Sequence, residues 1–75
     1  MQTIDVTADQ IRAARHMLHW SQDQLAEASG ISRVTIANLE IGKLHPRVDT
    51  LRAIVGALER AGITLTPDGV QRRRL

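Results

Sequence analysis

The chain has no cysteine and a single aromatic residue, Trp20, among its 75 residues. Without cysteine there is no disulfide framework and no thiolate chemistry, which fits a reducing cytoplasm. Without aromatics there is little on which to stack unpaired bases, so single-stranded nucleic acid and RNA are poor ligands. No apolar run approaches the ~20 residues that span a bilayer, and the N-terminus has no signal-peptide pattern. No cofactor motif and no clustered Ser/His/Asp set is present, so no catalytic residue is assigned and an enzyme is not expected. His16 and His19 stand three apart on one predicted helix, but no third ligand lies nearby in sequence. They read as surface histidines, with no metal or cofactor.

What is present is a globular composition, 43% hydrophobic and 24% charged, which argues against a disordered chain. A core of this size supplies only about 3–5 kcal/mol. The formal net charge of +2 is mild, but it is unevenly placed. Asp5, Asp9, Asp23 and Glu27 crowd the first third, whereas Arg33, Lys43, Arg47, Arg52 and Arg72–Arg73–Arg74 lie beyond it. That asymmetry suggests one basic face.

Thr7-Ala8-Asp9-Gln10 reads as a capping box opening a helix over about 8–19, with Ile11, Ala14 and Leu18 as its apolar stripe. Ser21-Gln22-Asp23-Gln24 repeats the box and opens a second helix over 22–28, with Leu25 and Ala26 facing inward. Gly30 stops it, because glycine takes a left-handed conformation without penalty. A third helix over 32–40 is capped by Ser32 and buries Ile36 and Leu39, with Ile31 plugging the turn before it. Gly42 ends it and Pro46 enforces an extended approach to a fourth helix over 48–61. Leu51, Ile54, Val55 and Leu58 are its core residues. Trp20 fills the joint between the first two helices. Residues 63–74 change period. Ile63-Thr64-Leu65-Thr66 alternates, "TPDG" signals a turn, and Val70-Gln71-Arg72 returns as a second strand. The expected fold is all-α, a single compact four-helix domain over 1–75 with a short C-terminal β-strand or hairpin.

Helices as short as the second and third cannot bury each other alone. They need the first and fourth behind them, which leaves Arg33, Val34, Ala37 and Asn38 outside. A solvated face would carry more Lys and Glu. This one is small, partly apolar and free of negative charge, as a face entering the DNA major groove would be. There Arg33 would grip guanine, Val34 touch a thymine methyl, Ala37 allow close approach, and Asn38 pair with adenine or a phosphate.

The run "SQDQLAEASGISRVTIANLEIGK" resembles the helix-turn-helix of the Cro/cI-type (XRE-family) repressors, over roughly residues 8–60. "SQ" opens helix two, "LA" sits within it, "GIS" makes the turn, "TI" and "LE" follow at fixed offsets, and a glycine with a basic residue closes the motif. The resemblance implies a lambda-repressor-like domain and a sequence-specific regulator of transcription that binds double-stranded DNA, most simply a homodimeric repressor of a pseudopalindromic operator. It assigns base contacts to Arg33, Val34, Ala37 and Asn38, and phosphate contacts to Gln22, Ser32, Thr35, Lys43 and Arg47. It also implies a structural ion pair between Arg15 and Glu40. Many relatives dimerise through a fifth helix, which this chain lacks. Pairing is instead assigned to the C-terminal segment through Ile63, Leu65 and Val70, strand edge to strand edge; a frayed tail is the alternative. A second function on the same fold is that of an antitoxin or antiactivator, whose main role is binding a toxin or activator protein.

Overall fold

A computed structural model describes residues 6–73 of the chain. Four helices, α1 (Ala8–Met17), α2 (Gln22–Ser29), α3 (Arg33–Glu40) and α4 (Val48–Arg60), precede two strands, β1 (Ile63–Thr66) and β2 (Gly69–Arg72). Asp5 and Arg74, counted in the charge asymmetry above, lie outside the described residues.

Both capping boxes form. Thr7 and Ser21 accept from the backbone N–H groups of Gln10 and Gln24, at 3.1 Å in each case, and those glutamines reach back to the cap N–H groups. Each box satisfies two donors that a helix start otherwise leaves open. α2 ends at Gly30 (φ +76°) and α3 is followed by Gly42 (φ +75°), both left-handed. After α3 the Gly42 N–H bonds to Leu39 O and the Lys43 N–H to Asn38 O, the paired bonds that close a helix around a left-handed residue.

α1 is shorter than its periodicity predicts, ending at Met17 rather than near His19. His19 lies outside it at φ +57°, the one non-glycine residue with positive φ among those described. Its N–H bonds to His16 O and the Trp20 N–H to Arg15 O, the same closure with histidine where glycine is usual. His19 therefore lies beyond the helix on which the two histidines were expected to stand three apart. A left-handed non-glycine residue costs about 1–2 kcal/mol, part of which glycine gives back through unfolded-chain entropy. His19→Gly is expected to raise stability by about 0.5–1 kcal/mol, read as a higher urea midpoint at unchanged slope.

The core is formed by Ile11 and Ala14 of α1, Leu25 of α2, Ile36 and Leu39 of α3, Leu51, Ile54, Ala57 and Leu58 of α4, and Ile63 of β1. Val55 and Trp20, expected inside, are half-buried and pack against it, while Ala57 takes a core place that periodicity did not give it. α4 rests on α2 and β1, and α1 meets α3 and β2.

The C-terminal segment is a hairpin, with Leu65 opposite Val70 and Ile63 opposite Arg72. It is fastened to the helices. Gln10, the capping residue of α1, donates from Nε2 to Thr66 O and Gly69 O at the turn. Arg72 donates to Met17 O and Arg73 to Glu59 O, the last turns of α1 and α4. Ile63 is fully buried. This corrects its assignment to a dimer contact, because its surface is already spent inside the domain. Leu65 and Val70 are half-buried against the same core.

Candidate nucleic-acid interface

α2 and α3 are joined by Gly30, Ile31 and Ser32, and the left-handed turn at Gly30 sends α3 across α2. Ser32 caps α3, its Oγ accepting from the Thr35 N–H at 3.1 Å. The same hydroxyl donates to Thr35 Oγ1 at 2.9 Å. The Thr35 hydroxyl hydrogen is then free to donate outward, whereas that of Ser32 is engaged.

Inward, α3 presents Ile36, Leu39 and Glu40, all buried. Outward, it presents Arg33 and Val34, the latter 65% exposed, with Ala37 and Asn38 half-exposed beside them. The four residues expected to read bases thus share one face. Lys43 and Arg47 follow in the exposed connection to α4. Between Arg33 and Arg47 the only carboxylate is Glu40, and it is turned inward. The outer face of α3 and the loop after it therefore present cations with no exposed carboxylate of their own, although Asp23 of α2 and Asp49 of α4 lie against the cations at the two ends, Arg33 and Arg47.

Glu40 is where the helices are locked. Arg15 Nε and Nη2 meet its two carboxylate oxygens at 2.8 and 2.9 Å, a bidentate pair whose side chains are only 11% and 2% exposed. Gln22 Nε2 donates to Glu40 Oε1 at 3.2 Å, and Arg15 Nη1 to Trp20 O at 2.8 Å. Burial pushes the Glu40 carboxyl up, but bonds from Arg15 and Gln22 and the nearby positive charge outweigh it, so the group stays below its ordinary value. The bond with Glu40 conversely raises Arg15, against burial. Residues of α1, α2 and α3 thus meet on one carboxylate. Gln22, assigned to a phosphate, also belongs to this network, and its second amide hydrogen remains for an outside acceptor.

One contact was not legible in the sequence. Arg33 Nε lies 3.4 Å from Asp23 Oδ1 of α2, both side chains largely exposed. Pairing at that separation across a turn has no local signature.

A family model described as Helix-turn-helix matches residues 11–64. The chain belongs to the XRE-type (Cro/cI-type) helix-turn-helix family. No curated protein matches it. As an XRE-type protein it is a DNA-binding regulator of transcription, with α2 and α3 as the helix-turn-helix pair. Among the described residues, no helix is long and apolar enough to cross a membrane.

Proposed function

We propose that the protein is a sequence-specific repressor that binds a pseudopalindromic operator as a homodimer, with α3 of each copy in the major groove. The observation that carries this reading is the outer face of α3, where Arg33, Val34, Ala37 and Asn38 lie side by side with no exposed carboxylate between Arg33 and Arg47. Arg33 grips guanine through O6 and N7, Val34 meets a thymine methyl, Ala37 lets the helix approach, and Asn38 bonds adenine or a phosphate. Gln22, Ser32, Thr35, Lys43 and Arg47 hold the backbone. Of these, Thr35 and Gln22 offer free hydrogens, Lys43 and Arg47 offer charge, and Ser32 contributes chiefly by shaping the cap.

The length of α3 supports a dimer. Its eight residues extend about 12 Å at 1.5 Å each, enough to cover three or four base-pair steps. One copy alone reads too little sequence for a useful operator, whereas two recognition helices about 34 Å apart read half-sites one helical turn apart. Leu65 and Val70, a cross-strand pair on the hairpin, are the side chains proposed to meet the partner copy. Repression follows from occupying a promoter in the reducing cytoplasm.

The test is selection of random duplex DNA by the purified protein, with Arg33→Ala in parallel. The expected result is a two-fold symmetric motif from which the variant drops one guanine in each half-site, losing about 1–3 kcal/mol of discrimination there. A wild-type pool with no enriched motif overturns the reading in favour of an antitoxin or antiactivator that acts by binding a protein.

A further inference from the structure

Four large apolar side chains are exposed among the described residues: Val34 at 65%, Ile41 at 69%, Leu44 at 42% and Val48 at 52%. One such residue on a surface means nothing. Here all four fall between the start of α3 and the start of α4, in the segment that carries the cationic face. Ile41 is the most exposed of them, and neither the fold nor the contacts assigned above give it a task.

Its position is set by the helix. Spacings of three and four residues link Val34 to Ala37 and Asn38, and the same spacings link those two to Ile41, so Ile41 extends the reading strip by one further turn. It is the C-terminal cap of α3 (φ −94°, ψ 6°), and its N–H still bonds to Ala37 O. Glu40, its neighbour, points inward to Arg15, and Lys43 follows it in the exposed loop. An apolar tip with Lys43 after it and the Asp9–Arg12 ion pair of α1 beside it, Arg12 also donating to Glu40 O, complements a groove whose floor carries methyl groups and whose walls carry phosphates. The C5-methyl of thymine is the one apolar group on the major-groove edges of the bases.

We propose that Ile41 is a specificity-determining residue that reads a thymine methyl at the outer end of each half-site. The proposal rests on the DNA-reading function above. Seven residues separate Ile41 from Val34, about 10.5 Å along the axis at 1.5 Å per residue. At 3.4 Å per base step, the thymine read by Ile41 lies about three steps from the one read by Val34.

The experiment uses the full chain and the duplex it selects from a random pool. Each thymine is replaced in turn by uracil, which lacks only the methyl group, and binding is followed by fluorescence anisotropy for wild type, Ile41→Ala and Val34→Ala. At one position in each half-site, uracil is expected to weaken wild type about fourfold, the value of one buried methyl group. The same replacement leaves Ile41→Ala unaffected, because the contact is already gone, while Val34→Ala keeps its sensitivity there. Ile41→Ala should retain the circular dichroism and urea midpoint of wild type, as expected for an exposed side chain. An Ile41→Ala protein that responds to every uracil as wild type does overturns the assignment and leaves the DNA-reading function standing. A pool with no enriched motif overturns both.

Discussion

Glu40→Ala is expected to remove about 3–5 kcal/mol of folding stability, the cost of leaving one member of a buried ion pair alone. For a domain whose core supplies about that much in total, the variant is largely unfolded at room temperature. The size follows from how the pair is built. With side chains 11% and 2% exposed, Arg15 cannot recover its lost partner by turning to water, and two bonds from the guanidinium and one from Gln22 lose their acceptor together. Arg15→Met combined with Glu40→Leu should restore most of the loss, because replacing both charges with apolar groups of similar volume removes the desolvation penalty as well as the attraction. Chemical unfolding of the two variants decides it: a double variant no more stable than Glu40→Ala would mean that the carboxylate acts through something other than its partner. The pH dependence carries the same signature. Because the folded carboxyl is held below its ordinary value, its contribution is complete above the unfolded value of about 4.3 and is lost as pH falls through the folded one. Glu40→Gln should flatten that acid limb while leaving the dependence above neutrality unchanged.

Ile36→Ala is expected to cost about 2–5 kcal/mol, whereas Val34→Ala, two residues away on the same helix, should change stability by no more than about 0.5 kcal/mol. Ile36 is fully buried at the centre of the core and Val34 is 65% exposed. Deleting three carbons from the first opens a cavity within the buried core cluster; truncating the second exposes little that water did not already reach. The effects on DNA should run the other way. Val34→Ala, fully folded, loses affinity for operators that carry a thymine opposite it, and Ile36→Ala, at temperatures where it remains folded, keeps the base preference of wild type. Thermal unfolding paired with binding on the selected duplex separates the two faces of α3.

Much of this architecture could be read from the chain because its signals are local. Thr7…Gln10 and Ser21…Gln24 fix two helix starts through hydrogen bonds that span three residues. Gly30 and Gly42 mark turns that only glycine makes cheaply. The burial of Ile36 and Leu39 against the exposure of Val34 follows from helical spacing alone. What escaped was non-local or contrary to preference. His19 adopts a conformation that its residue type disfavours, so helix periodicity ran past the true end of α1. The alternation of Ile63-Thr64-Leu65-Thr66 said that one face is apolar but not what covers it, and a surface contact was inferred where α4 and the core supply the cover. Arg72 and Arg73, counted in the sequence toward a basic face, stay exposed but also close the last turns of α1 and α4 with their guanidiniums, a contact with no local signature. Ile41 has no assignment in the sequence because α3 ends at Glu40, as its spacing predicts, and a cap residue is not counted with the outer strip of the helix.

The burial of Ile63 separates two ideas of what a domain is. The family match runs over residues 11–64, from within α1 to midway along β1, and so takes in Ile63 but neither Gln10 nor β2. Cooperative folding marks out something larger. A chain cut after Ala61 would lose a core residue and the ties from Gln10 to the turn, leaving the inner sides of α1 and α4 open to water. The stretch that the family match covers therefore leaves out Gln10, the hairpin turn it holds, and β2, all of which tie into the same fold. Grafting the helix-turn-helix of this protein onto another chain requires carrying the hairpin with it.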